Sequence, residues 1–150
     1  MKNNVFLVIL LLSINVSAQS ESFNFRKYKA FDINDTIQID LNGNGIIEKV
    51  YFTQTECKQL IIDELGSELI SIGCENNKYF NYPDQVDWVN QWCVVYDKNV
   101  WEVLFTANGE IVMDTIVTLK RPGIYIGKKE SGGGIITYRN GELYWVHQSD

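Results

Sequence analysis

Residues 92–119 read WCVVYDKNVWEVLFTANGEIVMDTIVTL, and this stretch decides the fold class. Three runs rich in β-branched and aromatic residues, 92–96, 100–106 and 111–119, are separated by Lys98-Asn99 and Asn108-Gly109. Asn-Gly is the strongest short hairpin signal, because both central residues of a type I′ turn need positive φ. A two-residue turn at Asn108-Gly109 places Phe105 opposite Val112 and Trp101 opposite Ile116. A second turn at Lys98-Asn99 places Tyr96 opposite Trp101, Val94 opposite Val103 and Trp92 opposite Phe105. Side chains alternate between faces along a strand. Trp92, Val94, Tyr96, Trp101, Val103, Phe105, Val112 and Ile116 are therefore expected to share one core face, interrupted by Asp114. Cys93, Val95, Leu104 and Met113 fall with Glu102, Thr106 and Thr115 on a half-wet face.

The same period-two pattern runs outward in both directions. Strands are expected at Thr36–Leu41, Ile47–Gln54, Lys58–Glu64, Glu68–Gly73, Gly123–Lys129, Ile135–Arg139 and Glu142–His147. Asn140-Gly141 joins the last two as a further type I′ turn. Between Asn76 and Gln91 the alternation breaks. Pro83, followed by Val86, Val89 and Cys93, predicts one or two helical turns there. The expected fold is all-β, an antiparallel β-meander forming a small sandwich or open barrel with one short helical excursion.

At the start of the chain Lys2 precedes an apolar run from Val5 to Leu12, and Val16-Ser17-Ala18 supplies small residues. This is the layout of a secretory signal peptide over residues 1–18, cleaved after Ala18. Ser13 and Asn15 interrupt the run well short of the about 20 apolar residues that a spanning helix needs. Residues 19–150 then form a single exported β domain, periplasmic or secreted, with no membrane insertion after cleavage. Loss of Lys2 leaves 12 basic and 19 acidic side chains, a net charge of −7. That balance excludes nucleic acid, whose binding begins with neutralising phosphates, and speaks against an anionic membrane surface.

Export permits disulfides, and three cysteines allow at most one intramolecular bridge. A turn at Leu65-Gly66 makes Cys57 and Cys74 a directly opposed, non-hydrogen-bonded pair. Cα atoms in such pairs are about 4.5 Å apart, within the span of a disulfide. Cys93, on a different hairpin, is expected to stay a free thiol.

One segment carries recognisable chemistry. Asp40-Leu41-Asn42-Gly43-Asn44-Gly45-Ile46-Ile47-Glu48 places oxygen-bearing side chains at loop positions 1, 3, 5 and 9, with Gly45 at position 6. Alternate side chains of such a loop converge on one cation, and the glycine permits the sharp turn. Asp40, Asn42, Asn44 and Glu48 would offer side-chain oxygens, and Ile46 its carbonyl. Tyr51 stands where an EF-hand has its position-12 carboxylate, and the flanks are strands instead of helices. The loop resembles the calcium loop of FG-GAP or VCBS-type β repeats, D-x-[DN]-G-[DN]-G-x-x-[DE] leading into an apolar strand, here Lys49-Val50-Tyr51-Phe52. The resemblance covers about a dozen residues and has no second copy in the chain. It implies a structural calcium ion, with two formal charges in its shell and an affinity of about 10⁻⁴–10⁻³ M.

Other signals carry less. His147 is the only histidine; with Asp150 it could be imagined as a general base, but no G-x-S-x-G nucleophile motif accompanies it. The Asn140-Gly141 register places it opposite Gly134, on the face of Trp145 and Ile136, as a packed or edge histidine. One histidine and three scattered cysteines give no zinc ligand pair. Ser131-Gly132-Gly133-Gly134 lacks the Lys-Ser/Thr of a phosphate loop and leads into a strand. Asn34-Asp35-Thr36 is a glycosylation sequon. The expected function is therefore an exported, non-enzymatic protein-binding domain, of the inhibitor or immunity type, with a basic protein as partner. The alternative is a carbohydrate-binding module or glycan-acting hydrolase using carboxylates or exposed Tyr82, Trp88 and Trp92.

Overall fold

The computed structural model describes residues 23–64, 67, 69–74 and 83–149. The expected signal peptide lies outside them. Among the described residues the strands are β1 (Thr36–Ile39), β2 (Glu48–Gln54), β3 (Lys58–Asp63), β4 (Ile70–Ile72) and β5 (Gln91–Val95). They continue as β6 (Asn99–Phe105), β7 (Ile111–Thr118), β8 (Gly123–Gly127), β9 (Gly133–Arg139) and β10 (Glu142–Gln148). The fold is all-β and antiparallel throughout, as expected, and no barrel closes among the described residues.

Two four-stranded sheets, in the orders β1-β2-β3-β4 and β10-β9-β8-β5, face each other. Ile37, Ile39, Val50, Leu60, Ile62 and Ile72 of the first meet Trp92, Val94, Ile124, Ile126, Ile136 and Trp145 of the second in one core. The far side of the second sheet is covered as well. Cys93, Val95, Tyr125, Ile135 and Val146 pack there against Val100 of β6, Val117 of β7, Leu119, and Phe23, Phe25 and Tyr28. Being covered on both faces explains why every residue of β8 is buried and why Ile124-Tyr125-Ile126 shows no polar alternation. Packing is tight enough to require glycine at residue 134, where a Cβ would lie 2.2 Å from the Trp145 ring. Phe23 closes the structure: its N–H donates to Ser149 O at 3.4 Å, and its ring stacks on Tyr125 at 4.0 Å.

The order of pairing differs from the expected meander. β5 pairs with β8, Trp92 opposite Ile126 and Val94 opposite Ile124, and not with β6. Its other edge is taken by Ala30, which bridges Cys93, and by Phe31, whose N–H donates to Trp92 O at 3.1 Å. With both edges filled, β6 has no place beside β5. Lys98-Asn99 is thus no hairpin turn, and the chain leaves β5 through Tyr96, which is 74% exposed. β6 and β7 instead form a hairpin of their own.

Within that hairpin Trp101 faces Ile116 as expected, but a register shift pairs Phe105 with Ile111 and not with Val112. Gly109 has positive φ while Asn108 does not, and Thr106 N–H donates to Glu110 O at 2.8 Å. Those are the marks of a three-residue loop closed by a glycine bulge, in place of a type I′ turn. The expected core face accordingly splits: Trp92, Val94 and Val103 are buried, whereas Tyr96, Phe105, Val112 and Ile116 are exposed. Cys93 and Val95, assigned to the half-wet face, are fully buried.

No helix forms over Pro83–Cys93; Val89 N–H donates to Val86 O in a turn, and both valines plug the first core. The helical segment among the described residues is a single 3-10 turn, Phe25–Lys27. The Cys57–Cys74 disulfide is present, with Cα atoms 5.7 Å apart, and Cys93 is a buried free thiol. The register behind that expectation is corrected. Leu65-Gly66 lies outside the described residues, but Leu60 faces Ile72, where such a turn would have set it opposite Ser71. The ladder ends at Ile72, and left-handed Gly73 (φ 108°) and Cys74 (φ 58°) turn the chain back toward Cys57.

Candidate functional site

The β6–β7 hairpin is held at one strand and open at the other. Gln148 Nε2 on β10 donates to Trp101 O at 2.6 Å, and Tyr144 OH donates to Glu102 Oε1 at 2.8 Å. These bonds tie β6 to β10 without a shared ladder. Burial, then the Glu102 bond, pushes the Tyr144 phenol above its ordinary range, so it remains a donor. β7 pairs only with β6 among the described residues. Ile111 is 66% and Ile116 58% exposed, and Val112, Met113 and Phe105 are exposed with them. The charges between residues 99 and 119 are Glu102, Glu110 and Asp114, without a lysine or arginine. An open strand edge with apolar, acid-flanked side chains suits pairing with another polypeptide.

The Asp40–Glu48 loop joins β1 to β2, and both carboxylates lie at its base, Glu48 opposite Ile39. Glu48, only 1% exposed, accepts Leu41 N–H through Oε2 at 2.7 Å. Asp40 Oδ2 accepts Gly45 N–H at 3.1 Å. Asn42 Oδ1 accepts Asn44 N–H at 2.8 Å, Asn44 Oδ1 accepts Ile46 N–H at 2.7 Å, and Asn44 Nδ2 donates to Glu64 Oε1. Two buried oxygens remain without a donor, Asp40 Oδ1 and Glu48 Oε1. A buried carboxylate oxygen without a partner is costly unless a cation sits beside it. The loop's chemistry thus fits a hard, oxygen-seeking ion. Among the described residues no three His, Cys, Asp or Glu side chains gather as ligands. Asn42, Asn44 and the Ile46 carbonyl would have to complete the shell. Gly43, with φ 74°, lies directly under the Arg121 guanidinium, and a Cβ there would fall 1.3 Å from Nη1.

A groove of about 580 Å³ opens where Phe105 meets the β9–β10 edge and the chain before β5. His147 faces Gly134 as expected. Its ring meets Phe105 edge-on at 5.1 Å and Trp145 at 5.7 Å. Trp145 Nε1 donates to His147 Nδ1 at 3.1 Å. Indole is a donor only, so Nδ1 is the acceptor and the neutral ring carries its proton on Nε2. Burial holds the imidazole below its ordinary value, which favours that neutral form. Asp150, its imagined partner, lies outside the described residues.

Of the rings expected to be available to sugar, Trp92 is fully buried, with Nε1 donating to Asp32 O at 2.7 Å. Tyr82 lies outside the described residues. Trp88 is half-buried on the groove wall, its Nε1 donating to Gln85 O at 2.6 Å. The groove was not foreseen, because its walls come from segments that the sequence keeps far apart; Trp88 alone pointed toward it. Compared with known proteins, the chain matches no family model, no curated protein and no solved structure.

Proposed function

We propose that residues 19–150 form an exported, non-enzymatic protein-binding domain, of the inhibitor or immunity type in the cell envelope. The observation that carries this reading is the open edge of β7, with Ile111, Val112, Met113 and Ile116 exposed beside Phe105. Monomeric proteins seldom leave such a contiguous apolar strand in water unless a partner covers it. Glu110 and Asp114 flank the patch, and together with the chain's net negative charge they favour a basic partner. A weak calcium ion at Asp40, Asn42, Asn44, Ile46 and Glu48 would act as a structural clip between β1 and β2.

The docking claim is tested by pull-down of the mature domain from envelope extract at low and high salt, beside a hydrolase screen on glycan substrates. A partner that is held at low salt, released at high salt and lost in the Val112→Lys/Ile116→Lys double variant supports it. Turnover that disappears on replacing one carboxylate overturns it. The calcium clip has a separate test by thermal melting. At ten times its Kd the ion adds about 1.4 kcal/mol by mass action, a rise in Tm that Asp40→Ala abolishes. A wild-type Tm indifferent to 10 mM calcium removes the ion.

A further inference from the structure

We propose that the groove beside His147 binds an apolar side chain or ring that carries a carboxylate. Its walls are rings: Trp88, Phe105 and Trp145 line it, and His147 stands edge-on between the last two. The one charge among its described lining residues is opposite in sign to the chain's net charge. Among the described residues no aspartate or glutamate lines this groove, whereas Lys128 does. Two of its hydrogen-bonding groups are donors: Lys128 can only donate, and the neutral His147 presents its Nε2–H, while the Ser131 hydroxyl and the Gln148 amide can donate or accept.

The turn that presents two of these groups is fixed by its own backbone. Ser131 N–H donates to Lys128 O at 3.1 Å, and Lys128 N–H donates to Gly132 O at 3.0 Å. Lys129 N–H is held in turn by Asn90 Oδ1 at 3.1 Å. A neutral sugar needs acceptors for its many hydroxyl protons, and among the described residues no carboxylate lines these walls to supply them. An apolar group with one carboxylate meets both features: ring faces for its body and a cation with donors for its head.

The groove shares Phe105 with the β7 patch but none of Ile111, Val112, Met113 or Ile116, so variants at those β7 positions test the two readings separately. Isothermal calorimetry on the mature domain, at near-neutral pH, compares N-acetyl-phenylalanine with N-acetyl-phenylalaninamide. The acid should bind at least ten-fold more tightly than the amide. Lys128→Gln should erase that preference, and Trp88→Ala should weaken the acid ten-fold while circular dichroism stays unchanged. Val112→Lys should leave the affinity as it was. The same chemistry can come from a free acid or from the end of a polypeptide. Equal affinity for phenylacetate and for an acetylated tetrapeptide ending in phenylalanine assigns the free acid, and a ten-fold gain for the peptide assigns the chain terminus. No heat with any acid at 5 mM, equal binding of acid and amide, or a preference for glucuronate over N-acetyl-phenylalanine overturns the proposal.

Discussion

β8 and β7 are built from similar residues and meet opposite fates. Gly-Ile-Tyr-Ile-Gly of β8 is buried at every position between β5 and β9, with a core on each face. Ile-Val-Met-Asp-Thr-Ile-Val-Thr of β7 has one neighbour among the described residues and leaves Ile111, Val112, Met113 and Ile116 exposed. Hydrophobicity alone does not separate them; the number of edges and faces that other elements cover does. An apolar strand whose edge stays open among the described residues is the basis of the proposed docking surface.

The largest test of that contrast pairs one residue from each side. Trp92→Ala removes a fully buried ring from the first core and should cost about 3–5 kcal/mol in urea unfolding. Ile116→Ala on the hairpin should change stability by no more than about 0.5 kcal/mol. A loss at Ile116 comparable to that at Trp92 would mean that the hairpin is already covered, by self-association for example, and sedimentation would reveal it.

A smaller loss should follow reduction of Cys57–Cys74, whose cysteines are 17 residues apart. Closing a loop of that order is worth about 3 kcal/mol. The loss belongs to the first sheet, so amide exchange should accelerate in β3 and β4 when the bridge is reduced. Acceleration confined to β6 and β7 would contradict this placement.

pH should sharpen the comparison from both ends. Burial in the second core pushes the Cys93 thiol from its ordinary 9.0 up to about 12. Above pH 9 the unfolded chain ionises while the folded chain resists, so stability present below pH 9 is lost between about 9 and 12. Cys93→Ala should flatten that decline. The smallest effect is at His147, which burial holds below its ordinary 6.5. Stability present above pH 6.5 should fall as the pH drops below it, because the unfolded chain takes up the proton first. His147→Gln should remove that acid slope, and a slope unchanged in the variant would assign it to carboxylates.

Local signals in the sequence were strong where the chain pairs with itself over short distances. Asn140 and Gly141, both with positive φ, gave the β9–β10 register residue for residue, from Glu142 opposite Arg139 to His147 opposite Gly134. The partner of β5 was not legible from turns, because β8 is nearly thirty positions further along. A usable signal was nevertheless present. Trp92-Cys93-Val94-Val95 is apolar at every position, the mark of a strand covered on both faces, whereas β6 carries Glu102. The cysteine pairing survived a register wrong by one residue, since Gly73 and Cys74 leave the ladder before the bridge is made. Of the Asp40–Glu48 loop, the spacing of oxygen-bearing side chains was readable and the two unpartnered oxygens of Asp40 and Glu48 were not, because burial is a property of the fold.

The meeting of Phe23 with Ser149 has a topological consequence. Residues 23 and 149 lie within one hydrogen bond of each other, so a short linker from 149 to 23 should be accommodated without rearrangement. New termini could then be cut at the Asn140-Gly141 turn, giving a circular permutant whose ends lie away from the original seam. For the same reason residues 23–149 could be inserted as one unit into a surface loop of another protein, entering and leaving at a single point.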